Sequence, residues 1–135
     1  MNYLTVEEIL FIHYRLLVEL QPSNDDFTIL NPGNLEAAVD RPKQSVNGGD
    51  AYPGPIDKAA ALTESIIRGH PFQDGNKRVG ITAGCVFLQN NGYIINASND
   101  DIFTAAIKIA SGDWEFKDIK TWFDKYFYSY KYNTP

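Results

Sequence analysis

Residues 76–90, NKRVGITAGCVFLQN, decide the fold of this chain. Beyond its first turn the stretch has almost no polar face, and Gly80 and Gly84 allow neighbouring helices to approach closely. A helix that is apolar on nearly all sides belongs at the centre of a bundle, because each side must be covered. Asn91-Gly92 supplies a stop after it. The sequence therefore predicts a buried central helix that its neighbours hold rigidly and whose first turn presents its backbone N–H groups.

Helical patterns on both sides of this central stretch supply its neighbours. Thr5 and Glu8 form a capping box ahead of a first helix. The apolar residues predicted to share its buried face are Val6, Ile9, Leu10, Leu17 and Leu20. Further helices are predicted over residues 33–40, 56–68, 98–110 and 116–127, with a short extended segment over 93–97. We expect an all-α bundle of six to seven helices, a single compact domain over residues 1–135 with a disordered tail from about residue 130.

Composition narrows the class of protein. The chain is 44% hydrophobic and 21% charged, which is ordinary for a globular domain. No basic region precedes the N-terminal apolar stretch and charged residues interrupt it, so neither a signal peptide nor a membrane span is predicted. Cys85 is the only cysteine, which excludes an internal disulfide and favours a cytoplasmic location. The net charge of −5, with 12 dispersed Lys and Arg residues, argues against nucleic-acid binding.

The stretch HPFQDGNKR, residues 70–78, carries the chemistry. His70 closes one predicted helix and opens a loop, and an imidazole accepts a proton near neutral pH. Asp74 is a hard oxygen ligand suited to Mg²⁺ that is held mostly by phosphate and water. Gly75 permits a tight turn without a Cβ in the way of a ligand. The stretch therefore combines a candidate general base with a candidate metal ligand.

The residues that follow favour an anion. Asn76, Lys77 and Arg78 open the central helix, where free N–H groups and the helix dipole attract negative charge. Arg binds phosphate oxygens bidentately and Lys adds a point charge. Each residue has an ordinary alternative as well: a surface histidine, a capping aspartate, two solvated cations. Their joint occurrence at the start of the most buried helix favours a phosphate cradle beside a general base.

Residues 70–78 resemble the signature of the Fic family, HPFx[D/E]GNxR, at nine consecutive positions. Phe72 is similar to the residue that packs inward and anchors the loop in that family. Lys77 stands where Fic proteins that transfer AMP usually have Gly, and Lys there is typical of the Doc, or death-on-curing, branch, the toxin of a phage addiction module. The resemblance implies the Fic/Doc fold, a bundle with a central buried helix and a short flap loop.

The similarity to the Doc branch extends over roughly residues 4–92. The further stretches that resemble it are ILFIH at 9–13, PGNLEAAVDRP at 32–42 and IRGH at 67–70. Pro71 and Gly75 follow the Fic consensus instead, where Doc has other residues. The chain is therefore intermediate between the two branches.

The resemblance implies a transferase that uses ATP, or another nucleoside triphosphate, with Mg²⁺. His70 would deprotonate a Ser, Thr or Tyr hydroxyl of a target protein, and Asp74 would hold the metal. The residues implied in nucleotide or phosphate binding are Gly75, Asn76, Lys77 and Arg78. A Lys77 side chain fills space that Gly leaves open, and the resemblance implies that in Doc-like proteins this goes with an inverted nucleotide and transfer of the γ-phosphoryl group. We therefore favour phosphoryl transfer to a cytoplasmic target, elongation factor Tu by analogy. Transfer of AMP to a protein hydroxyl is the alternative, and a non-catalytic module that binds a nucleotide or partner is the second alternative.

Three further expectations concern supporting parts of the chain. The flap loop, residues 43–55, is rich in Gly and Pro, and its residues Asn47, Gly48, Gly49 and Asp50 are candidates to hold an extended target segment. His13 shares the apolar face of the first helix and is expected to be a buried histidine with a satisfied hydrogen bond, with a supporting role near the site as the alternative. Residues 111–116 lack the inhibitory pattern [S/T]xxxE[G/N] of some Fic proteins, which implies that a separate antitoxin partner restrains the enzyme.

Overall fold

Six α-helices surround a common core in a computed structural model of the protein that describes residues 1–20 and 26–129. They are α1 (Val6–Leu20), α2 (Pro32–Asp40), α3 (Pro55–Gly69), α4 (Asn76–Asn90), α5 (Asn99–Ala110) and α6 (Phe116–Tyr126). A single 3₁₀ turn, Arg41–Lys43, follows α2. The prediction of an all-helical bundle is confirmed, whereas the predicted tail from residue 130 lies outside the described residues.

Two helices, rather than one, form the centre of the bundle. Helix α4 packs against α1, α3 and α5, and α3 packs against α2, α4, α5 and α6. Helix α3 is buried along most of its length because residues 59–63, Ala-Ala-Ala-Leu-Thr, offer little polar surface and little bulk. The central position predicted for the 76–90 helix is therefore shared with its neighbour in the chain.

Small residues on α4 allow the two central helices to approach closely. Thr63 Oγ1 on α3 donates a hydrogen bond of 2.9 Å to the carbonyl oxygen of Gly80. A Cβ added at Gly80 would lie 2.5 Å from Ile67 Cγ1, and one added at Gly84 would lie 2.6 Å from Phe123 Cζ and overlap Thr63 Oγ1. These contacts fix the distance between the end of α3 and the start of α4, where the motif of residues 70–78 lies.

Capping signals in the sequence are confirmed at two helices. Thr5 N donates to Glu8 Oε1 at 3.0 Å and Glu8 N donates to Thr5 Oγ1 at 3.2 Å. Ser98 and Asp101 exchange the equivalent pair of bonds at the start of α5, each 3.0 Å long. The prediction for Leu20 is wrong, because its side chain is 50% exposed at the end of α1.

Four short strands complete the described chain. Strands β1 (Ser45–Val46) and β2 (Gly49–Asp50) form a hairpin within the predicted flap. Strand β3 (Tyr93–Ile95) confirms the extended segment after α4, and it pairs antiparallel with β4 (Phe127–Ser129). The sixth helix was predicted to include Phe127, but α6 ends at Tyr126. The reason is that Phe127 takes an extended conformation and is buried, so its ring joins the core while its backbone pairs with β3.

No helix within residues 1–20 and 26–129 combines the length and the apolar character that crossing a membrane would require.

Adding one methyl group between the central helices tests this packing. Gly84→Ala is expected to lower the free energy of unfolding by about 1–3 kcal/mol, because the new Cβ meets Thr63 and Phe123 with no free space. The matched control is Gly33→Ala in α2, where a Cβ meets nothing within 4 Å. That change is expected to stabilise the helix by about 0.5–1 kcal/mol. Urea denaturation measures both, and a Gly84→Ala protein as stable as the parent would contradict the close approach.

Candidate functional site

The loop between α3 and α4 begins at His70, in a left-handed conformation that few non-glycine residues adopt. His70 has φ of 47° and its side chain is exposed. Two asparagines of the α2 region hold the backbone here: Asn31 Nδ2 donates to the His70 carbonyl at 2.8 Å, and Asn34 Nδ2 donates to the Gly69 carbonyl at 2.7 Å. These bonds stabilise the turn that directs the chain out of α3.

Residues 28–31, which we call the strap, bind the outer side of the loop. The N–H groups of Leu30 and Asn31 donate to the Pro71 carbonyl at 2.8 and 3.0 Å. Gln73 N donates to the Thr28 carbonyl at 3.0 Å, and an isolated antiparallel bridge joins Ile29 to Phe72. This strap could not be predicted from the sequence, because its bonds are made by backbone groups that nearly every residue carries.

Asn76 fastens the inner side of the loop to the start of α4. Its side-chain Oδ1 accepts from Phe72 N at 3.0 Å, and its Nδ2 donates to the Phe72 carbonyl at 2.9 Å. The same Nδ2 lies 3.4 Å from His70 Nδ1. The Phe72 side chain is 1% exposed and Asn76 is also buried. The Asn76 side chain is therefore committed to the loop backbone, and the phosphate-binding role predicted for this residue stays a prediction.

His13 supports the loop from α1. Its ring stacks on Phe72, with 3.8 Å between ring centroids and 10° between ring planes. His13 Nε2 lies 2.9 Å from the Asp74 carbonyl oxygen and must donate the hydrogen, because a carbonyl only accepts. Burial lowers the pKa of His13, and it outweighs the Asp74 hydrogen bond and the charges of Asp74 and Asp26, which act in the opposite direction. The sequence expectation of a buried, hydrogen-bonded histidine is confirmed, and the residue it supports belongs to the motif.

Gly75 forms the N-cap of α4 at a position where a side chain would be strained. Its φ is 89°, and an added Cβ would lie 3.4 Å from His13 Cδ2. Gly75 N donates to Asp74 Oδ1 at 2.8 Å, which orients the Asp74 carboxylate. As a glycine, the N-cap residue has no side chain with which to cap the first turn, so no N-cap side chain competes with an external acceptor for its N–H groups.

A cavity of about 270 Å³ lies at the start of α4. It is lined by His13, Leu16, Leu17, Leu20, Asp74, Gly75, Asn76, Lys77, Arg78, Val79 and Phe103. Five of the sequence-predicted residues thus meet at one cavity. His70 is not part of its lining and is linked to it through the 3.4 Å contact with Asn76, and the Phe72 side chain is buried. A larger cavity of about 400 Å³ between α5 and α6 contains none of the motif residues.

The cavity has two cations that the protein leaves available. Lys77 and Arg78 are exposed, and neither forms an ion pair with any residue in the described part of the chain. The Arg78 guanidinium lies over the Phe103 ring of α5, with 5.1 Å from Cζ to the ring centroid. Phe103 has no role at the site in the sequence-based prediction. No sequence signal indicates one, because Phe103 fits the helical spacing of the apolar α5 residues and only the structure shows that the buried face is formed by Ala105, Ala106 and Ile109.

The cavity residues suit Mg²⁺ only when the cation arrives with a phosphate ligand. Asp74 is the acidic side chain of the lining, and residues 1–20 and 26–129 contain no cluster of three or more His, Cys, Asp or Glu side chains that could hold a metal ion. Mg²⁺ commonly keeps its waters and binds one or two carboxylates together with substrate phosphates. One carboxylate beside two free cations fits that mode and does not fit an all-protein metal cage.

The predicted flap is a short hairpin away from the cavity. Asn47 and Gly48 both have positive φ, 52° and 82°, as a two-residue type I′ turn requires. Lys58 of α3 anchors its base: the buried Nζ donates to the Pro42 carbonyl at 2.9 Å and lies 3.6 Å from Asp50 Oδ2. The candidate residues 47–50 are exposed and do not line the cavity, so a role for them in target binding stays a prediction.

Comparison with known proteins supports the interpretation of the motif. The family model described as the Fic/DOC family matches residues 3–88. A protein of Mycolicibacterium smegmatis named Toxin Doc is 50% identical over 68 residues, which are 50% of this chain and 52% of that protein. The chain thus matches about half the length of this curated relative. The family match covers α3, the loop and the start of α4.

The neutral state of His13 has a measurable consequence. Because its pKa is lowered, the unfolded chain takes up a proton at a higher pH than the folded chain does. The free energy of unfolding is therefore expected to fall as the pH drops below about 6.5, the ordinary value for histidine, and to fall less in His13→Gln. Urea denaturation between about pH 5 and pH 7 measures the two slopes. His70→Gln, which leaves His13 in place, is the control, and identical slopes in His13→Gln and the parent would contradict the account.

Proposed function

The chain belongs to the Fic/DOC family, and we propose that it transfers the γ-phosphoryl group of ATP to a Ser, Thr or Tyr hydroxyl of another protein. The observation that carries the proposal is the convergence of Asp74, Lys77 and Arg78 on one cavity at the first turn of α4. The imidazole of His70 adjoins this turn through its 3.4 Å contact with Asn76. One short segment of chain thereby supplies the groups to bind phosphate, to neutralise its charge and to remove the proton of the target hydroxyl.

Positive charge at the cradle supports an anionic substrate. The chain has a net charge of −5, yet the exposed charges at the start of α4 are the side chains of Lys77 and Arg78. Free first-turn N–H groups and the helix dipole add to their attraction for phosphate. Asp74 is the residue that would hold Mg²⁺, which when bound supplies further charge neutralisation on the phosphate oxygens. Such a site acts chiefly by positioning and by electrostatic stabilisation of the transferred group.

His70 is the proposed general base. Its exposed side chain is accessible to a hydroxyl of a protein substrate. The backbone on both sides of it is held, at Gly69 by Asn34 and at His70 and Pro71 by the strap of residues 28–31. Removing the hydroxyl proton makes the oxygen a better nucleophile toward phosphorus. The new P–O bond forms as the bond to the departing ADP breaks, and the proton passes to the imidazole.

Lys77 favours phosphoryl transfer over AMP transfer. Its side chain lines the cavity and projects a cation where a glycine would leave open space. The name of the relative, Toxin Doc, agrees with assignment to the Doc branch, and extends the proposal to a toxin restrained by an antitoxin protein. Transfer of AMP to a protein hydroxyl is the second candidate, favoured by Pro71 and Gly75, which follow the Fic consensus.

Intact-mass spectrometry of a target protein distinguishes the two reactions. The purified chain is incubated with Mg·ATP and elongation factor Tu, or with a cell lysate when that target stays unmodified. We expect one target protein to gain the mass of a phosphoryl group, and a gain equal to AMP would overturn the kinase assignment in favour of the alternative. His70→Ala is expected to reduce the rate by about 10²- to 10⁴-fold, as loss of a general base does. An unchanged rate in His70→Ala would refute the proposed mechanism.

The metal requirement tests the role of Asp74. Asp74→Asn removes the charge but keeps an oxygen that accepts from Gly75 N, so the loop is expected to keep its conformation. The Mg²⁺ concentration needed for half-maximal activity is expected to rise in this variant. Asp100→Asn, which lies at the other cavity between α5 and α6, is the matched control and is expected to behave as the parent. Equal Mg²⁺ dependence in Asp74→Asn and the parent would remove Asp74 from the metal site.

A further inference from the structure

Phe103 of α5 occupies an unusual place for a large apolar side chain. Its ring is 46% exposed, while its neighbours on the buried face of α5, Ala105 and Ala106, are at most 1% exposed. The ring lines both the 270 Å³ cavity at the start of α4 and an adjoining groove of about 320 Å³ between α1, α4 and α5. Phe103 therefore lies at the mouth of the candidate site without serving the core.

The partner of this ring is Arg78. The guanidinium carbon lies 5.1 Å from the Phe103 ring centroid, within the range of a cation–π contact. Arg78 makes no ion pair with any residue among 1–20 and 26–129. Within these residues, the contact with Phe103 is therefore the interaction that restrains its charged end. A long exposed side chain otherwise samples many rotamers, and binding an anion must then fix it.

A cation–π contact with the Phe103 ring does not replace the hydrogen bonds that Arg78 offers. The ring attracts the charge of the guanidinium, whereas phosphate oxygens accept from its N–H donors. The contact therefore restricts the side chain without using the donors that bind phosphate oxygens bidentately. A lysine at position 78 would lack the bidentate donors, and an aliphatic residue at position 103 would lack the ring that attracts the cation.

We propose that Phe103 is a positioning residue that holds the Arg78 guanidinium ready for the phosphate groups of the nucleotide. The inference rests on the proposed function, because it takes Arg78 to bind phosphate. It assigns to α5 a part in a site that the sequence places wholly in the loop and the first turn of α4. Phe103 contributes by lowering the loss of conformational freedom when Arg78 binds.

Calorimetric titration with Mg·ATP tests the proposal in five variants, of which one is Arg78→Ala and one combines it with Phe103→Leu. Phe103→Leu keeps an apolar side chain without a π face, and it is expected to raise the Kd about two- to fivefold, the size of an exposed cation–π contact. Phe103→Trp restores a ring and is expected to bind as the parent does. Ile107→Ala is the matched control, because Ile107 lies one turn further along α5 with 42% exposure and lines neither cavity. In an Arg78→Ala background, Phe103→Leu is expected to have no further effect.

A structural readout separates positioning from general destabilisation. The ring current of Phe103 shifts the NMR signals of the Arg78 δ-methylene protons in the parent protein without ligand, and this shift is expected to vanish in Phe103→Leu but persist in Phe103→Trp. Two results would refute the positioning role but leave the proposed function intact. In the first, Arg78→Ala weakens binding while Phe103→Leu binds as the parent does. In the second, Phe103→Leu still weakens binding in the Arg78→Ala background. If Arg78→Ala binds Mg·ATP as tightly as the parent, or the parent binds none, the phosphate cradle fails and the positioning role fails with it.

Discussion

The site depends on the side-chain amide of Asn76, which binds both the N–H and the carbonyl of Phe72. This pair of bonds closes the loop onto the first turn of α4, so the loop and the helix move as one body. An aspartate could not replace it, because a carboxylate cannot donate to the Phe72 carbonyl. Since both groups are buried, losing one bond would leave a buried polar group unsatisfied, at a cost of about 1–3 kcal/mol.

Three other elements make that closed loop rigid. His13 packs flat on Phe72 and donates to the Asp74 carbonyl, the strap of residues 28–31 binds the opposite edge, and α3 packs on the glycines of α4. Much of the loop backbone is thus hydrogen-bonded within the protein, while Lys77 and Arg78 form no ion pair with the part of the chain that the structure describes. A rigid cradle lowers the entropy that binding must overcome, which is the general advantage of preorganisation.

Much of this arrangement is readable in the sequence. The central helix, the two capping boxes and the residues that meet at the cavity follow from apolar periodicity, from Ser/Thr spacing and from nine consecutive motif residues. The strap, the Lys58 anchor of the hairpin and the Phe103–Arg78 contact do not. Each joins residues far apart in the chain, and neither the backbone partners of the strap and of Lys58 nor the exposed pair Phe103 and Arg78 forms a sequence pattern. The end of α6 was misplaced for a related reason: Phe127 fits the helical period, and only its pairing with Ile95 makes an extended conformation better.

The proposed function requires that phosphate binds at the first turn of α4. It is tested most directly by following backbone amide signals in an NMR titration of the isotope-labelled protein with Mg·ATP. The account predicts that the largest shifts are those of Gly75, Asn76, Lys77 and Arg78, with His70 and Asp74 beside them. Shifts that cluster instead at the α5–α6 cavity, around Trp114 and Trp122, or no saturable shift at all, would contradict it.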